Sequence, residues 1–86
     1  MDSERFGRAL LQMKFPAHRE QIADHSWPAF ALLCEAYGMA AGMRDELRRD
    51  AATEPGLLLE FETVCLELET DAIELLSGVS AHFHAR

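Results

Sequence analysis

Leu57-Leu58-Leu59-Glu60-Phe61-Glu62-Thr63-Val64-Cys65-Leu66-Glu67-Leu68-Glu69-Thr70-Asp71-Ala72-Ile73-Glu74-Leu75-Leu76 decides the fold of this chain. Within it Leu58, Phe61, Cys65, Leu68, Ala72, Leu75 and, further on, Val79 alternate steps of three and four, the seam of a heptad repeat on an α-helix. Leu57, Val64, Leu66, Ile73 and Leu76 widen the stripe beyond a two-position seam, so more than one facing helix is expected to cover it. Thr53 is a natural cap, and Glu54 and Pro55 suit the first turn, where an acid and a proline are both favoured. The predicted helix covers about 54–77, ending at Ser77-Gly78, with 78–86 as a tail, although the apolar register continues to Val79 and His82.

Working outward, Phe30, Leu33, Tyr37, Ala40, Ala41 and Leu47 repeat at helical spacing and predict a long helix over 27–49. Ser26 is its expected cap, Pro28 fits its first turn, and Arg44, Arg48 and Arg49 favour the negative end of the helix dipole. Phe6, Leu10 and Met13 predict a first helix over 3–14, which Pro16 ends; Pro16 then opens a short helix over 16–24. The short link between the two long helices favours their antiparallel packing. The fold class is therefore all-α: one small domain of three to four helices built on a long antiparallel helical hairpin, with the two short helices covering one open side.

A single domain of 86 residues buries only about 60% of its unfolded surface. Pairing of two copies would bury apolar surface that such short elements leave open, and a homodimer is the expectation. Cys34 and Cys65 stand far apart among apolar neighbours and read as reduced core thiols. No apolar run approaches the roughly 20 residues that cross a bilayer, so no membrane partner is expected. Met1-Asp2-Ser3-Glu4-Arg5 has none of the features of a secretion signal, and a cytoplasmic location follows as an expectation.

Charge is the most lopsided property. Up to Arg49 the chain carries seven acids and seven bases, whereas from Asp50 to Ala85 it has eight acids and no lysine or arginine, so the net charge of −7 arises in the second half. Glu60, Glu67 and Glu74 are spaced by seven, as are Glu62 and Glu69, and together they predict an acidic outer face on the last helix. Like charges at such spacing cost a helix a few tenths of a kcal/mol each. The face is either used, on a partner with a basic surface, or merely solvated.

A second candidate surface lies around Trp27, Phe30 and Tyr37, aromatics favoured in small cores and as binding anchors, with a core role the expectation ahead of an anchor. Met39 and Met43 flank Gly38 and Gly42, and each glycine costs a helix about 1 kcal/mol relative to alanine. Close packing against the last helix is the expected compensation, ahead of a dimer contact or a bend at Gly38.

Catalytic motifs are missing: there is no phosphate-cradling glycine loop, H-E-x-x-H, G-x-S-x-G or EF-hand loop. His18, His25, His82 and His84 are poorly spaced for a zinc site, so no metal and no cofactor is expected. The acidic charge argues against direct nucleic-acid binding. The expected function is that of a small acidic regulator, not an enzyme: a stoichiometric inhibitor or antiactivator of a transcription regulator or another nucleic-acid-binding protein. The alternative is an accessory or chaperone-like subunit that docks through its apolar stripe. Candidate partner-binding residues are Glu60, Glu62, Glu67, Glu69, Glu74, Trp27, Phe30, Met39 and Met43.

Overall fold

A computed structural model describes residues 2–52 and 54–84, with side-chain surroundings described as far as Ser77. Among these residues the chain is helical and has no strand: α1 (Ser3–Lys14), a single 3-10 turn (Pro16–His18), α2 (Arg19–Asp24), α3 (Pro28–Arg49) and α4 (Pro55–His84).

Local chemistry sets the boundaries. Asp2 caps α1, its carboxylate accepting the Glu4 N–H at 3.0 Å, and Pro16 stops the helix. The expected continuous helix over 16–24 is instead a 3-10 turn followed by α2, because the His18 N–H bonds back three residues to the Phe15 carbonyl at 2.9 Å. Trp27, not Ser26, is the N-cap of α3: Pro28 occupies the first turn and holds the residue before it extended, at φ −62 and ψ 133. The Thr53 cap lies outside the described residues. Gly78 does not end α4, which runs on to His84. One glycine costs a helix only about 1 kcal/mol, and the apolar register carries through it.

The tightest packing joins α1 to α3. Gly7 and Gly38 face each other there with backbones in contact. A methyl group on Gly7 would overlap the Cys34 carbonyl oxygen, and one on Gly38 would overlap the Ser3 carbonyl oxygen. This corrects two expectations: Gly38 serves α1, not the last helix, and the centre of the fold is the α1–α3 pair with α4 added to it. Nor does Gly38 divide the helix, since α3 is continuous from Pro28 to Arg49. Gly42 has open space around it.

Arg8 ties the short elements together. Its guanidinium donates to the Ile22 and His25 carbonyls, at 2.6 and 3.0 Å, and to Glu4 at 2.7 Å, while lying over the Phe30 ring. Those carbonyls are the ones that the end of a short helix leaves without a partner. Leu11, Ile22, Phe30, Cys34 and Ala41 are fully buried around this junction; both cysteines are free thiols, as the sequence predicts.

Contacts between α3 and α4 run in opposite order along the two helices: Tyr37 meets Glu69, and Arg48 meets Glu62. Cys65, Ala72 and Leu76 form the buried edge of α4, and Gln21 of α2 donates to the Leu76 carbonyl at 3.2 Å. At 1.5 Å per residue, the 30 residues of α4 span about 45 Å and set the 49 Å long axis. The radius of gyration is 14.1 Å, against about 12 Å for a compact chain of this length. A long helix covered by so small a body keeps one side open.

The glycines make a clear test. Gly7→Ala and Gly38→Ala should each lower stability by about 2 kcal/mol or more, because backbone must move. Gly42→Ala should raise it by about 0.5–1 kcal/mol, and urea unfolding of the three variants reads the difference.

Candidate functional site

The open side of α4 is organised in rows, since residues seven apart stack along a helix. Glu60, Glu67 and Glu74 form an exposed acidic ridge, with Asp71 beside it. Leu57 and Val64 border the ridge on one side, and Leu59 and Leu66 on the other. Leu59 and Leu66 are 62% and 60% exposed, high values for leucines inside a long helix. The broad stripe read in the sequence thus exceeds the cover that α3 provides, and its edges are left in solvent.

Glu69 departs from the predicted face. Its side chain is buried, accepting a 2.5 Å hydrogen bond from the Tyr37 hydroxyl, with Lys14 Nζ 3.8 Å from its other oxygen. Glu62 also turns toward the body, where Arg48 donates to it at 3.0 Å. Both acids therefore have basic neighbours from other helices, which corrects the expectation of an unrelieved acidic surface. The sequence held a signal for this: Glu62 and Glu69 keep helical register with Cys65, Ala72 and Leu76, the buried edge. Nothing in the pattern identified Tyr37, Lys14 or Arg48 as their partners, because those contacts span three helices.

Phe30 is fully buried against Arg8 and His25 and presents no surface. Trp27 is half-exposed at the start of α3, its ring edge-on to His25. Met39 and Met43 line a shallow groove with Phe6, Gly38 and Gly42, to which Asp45, Glu46 and Arg49 also contribute. That groove lies between α1 and α3, and none of Glu60, Glu67 and Glu74 lines it. Among the described residues no three His, Cys, Asp or Glu side chains converge as a metal site requires, and no helix is long and apolar enough to cross a membrane.

The chain matches no known protein family. It likewise finds no match among curated proteins or solved structures. Its surface chemistry is therefore the whole basis for a functional reading.

Buried titratable groups lie beneath this surface. Burial pushes the Cys34 thiol from its ordinary 9.0 up to about 11, partly opposed by Arg8. Burial and then the hydrogen bond to Glu69 hold the Tyr37 hydroxyl well above its ordinary value. A proton bound more tightly in the folded state stabilises the fold below the unfolded pKa and stops doing so as pH rises through the folded one. Stability should accordingly fall above about pH 9, as first Cys34 and then Tyr37 are pressed to ionise. Tyr37→Phe should cost about 1–3 kcal/mol at neutral pH by leaving Glu69 buried without its donor, yet show a shallower alkaline loss in urea titrations between pH 7 and 11.

Proposed function

We propose that this chain is a non-catalytic, protein-binding regulator that uses the outer face of α4 to hold a basic surface on another protein. The observation that carries the reading is the combined exposure of Leu59 and Leu66 beside Glu60, Glu67 and Glu74, with no cation of α4 itself to offset the acids. Magnitudes divide the labour. Burying each leucine contributes about 1.5–3 kcal/mol, whereas an exposed ion pair contributes about 0.2–1 kcal/mol. The leucines therefore carry affinity, and the acids carry association rate and choice of partner.

Basic surfaces with apolar floors are common on proteins that bind nucleic acids, where lysines and arginines await phosphates. An acidic helix seated on such a surface excludes the nucleic acid without chemistry of its own. The chain then acts as a stoichiometric inhibitor or antiactivator in the cytoplasm. The same exposed leucines favour the second reading, an accessory subunit held by apolar contact, and salt separates the two.

Tagged wild-type protein and a variant carrying Glu60→Lys, Glu67→Lys and Glu74→Lys together should be compared in pull-downs from host extract at low and high salt. A basic nucleic-acid-binding protein held by the wild type at low salt, lost at high salt and lost by the variant is the expected result. Retention of one partner by both chains at high salt would reject the acidic reading in favour of apolar docking.

A further inference from the structure

We infer that the outer face of α4 also pairs, in parallel, with α4 of a second copy of this chain. The inference rests on the reading of this face as the docking surface and names one occupant for it. Leu59, Leu66 and Ile73 recur every seven residues, and Thr63 and Thr70 fall between them at alternating steps of four and three. This is a second heptad seam, distinct from the one buried against α3; Leu59, Thr63, Leu66 and Thr70 lie on the exposed edge of the helix, and Ile73 closes the seam half-buried against the core. Leucine alternating with a β-branched residue suits two parallel strands. Thr70 has its hydroxyl satisfied at home, donating to the Leu66 carbonyl at 3.0 Å, and leaves its methyl free for packing.

Charge selects the orientation. One edge of the seam carries Glu60, Glu67 and Glu74. The other carries Glu62 and Glu69, already matched by Arg48 and Lys14, while Arg44 nearby is held by Asp45 at 3.1 Å. In an antiparallel pair each edge meets its own copy, setting three glutamates against three. In a parallel pair each edge meets the other, so Glu67 of the second copy approaches Arg48 and Glu74 approaches Lys14. Both cations are about half exposed and available to a second carboxylate. Parallel pairing thus sets these glutamates beside the Arg48–Glu62 and Lys14–Glu69 pairs, a weaker repulsion than the three-against-three of the antiparallel form, and it covers the leucines that one copy leaves in water. A basic partner must displace the second copy to reach them.

Sedimentation across a concentration series, with two sets of variants, tests the pairing. Wild type should be a dimer, and Leu59→Asp with Leu66→Asp should raise the dissociation constant on the order of a hundredfold or more. Helical content by circular dichroism should persist, since both positions are exposed. Chains carrying Thr63→Cys or Thr70→Cys should each form a disulfide-linked dimer on oxidation, because parallel pairing sets each position against itself; wild type, whose cysteines are buried, should not. A wild type that stays monomeric throughout, a dimer indifferent to the leucine changes, or failure of both cysteine variants to cross-link would overturn the inference. Capture of a basic partner by a monomer would then rest on the salt-resolved pull-down alone.

Discussion

The backbone contact between Gly7 and Gly38 is the constraint on which the arrangement of this chain depends. Any side chain at either position would strike a carbonyl oxygen of the opposite helix, so α1 can lie on α3 only because both residues lack one. Once α1 is seated there, Arg8 reaches the carbonyls at the end of α2 and fixes the short helices around Phe30. The small body is then complete on one side of α3, and α4 is left with a single principal neighbour.

From that single-sided packing the surface chemistry follows. A helix of 30 residues with apolar positions over more than half its circumference meets a cover that reaches only part of it. The remaining leucines stand in solvent beside carboxylates. Glu62 and Glu69, nearest the body, are drawn into contacts with Arg48 and Tyr37, so the exposed acidity is confined to a ridge with apolar borders. Such a surface combines modest electrostatic steering with a few large apolar contacts, the combination that suits reversible protein recognition.

Much of this was legible in the sequence. Heptad spacing over 58–79, proline positions and the arginines near Arg49 mark the helices, and composition marks them as one small all-helical domain. The partnership of α1 with α3 was harder to read. Gly38 stands out, but its counterpart Gly7 lies in a short helix where a lone glycine, four residues after Ser3, carries little weight by itself. The inward turn of Glu69 was obscured for a related reason: a run of acids reads as a solvated face until a tyrosine from another helix is brought against one of them. Trp27 and Phe30, adjacent in pattern, part company because Pro28 begins a helix between them and rotates only Phe30 into the core.

Nuclear magnetic resonance on isotope-labelled protein, filtered to separate contacts within a chain from those between chains, tests most directly whether α1 is committed to α3 and α4 is left open. Cross-relaxation between the α protons of Gly7 and Gly38 should be strong, and the Leu59 and Leu66 methyl groups should show no contact to Phe6 or Leu11 of their own chain. Intrachain contacts from Phe6 or Leu11 to those methyl groups would contradict it, because the first helix would then cover the face assigned to recognition.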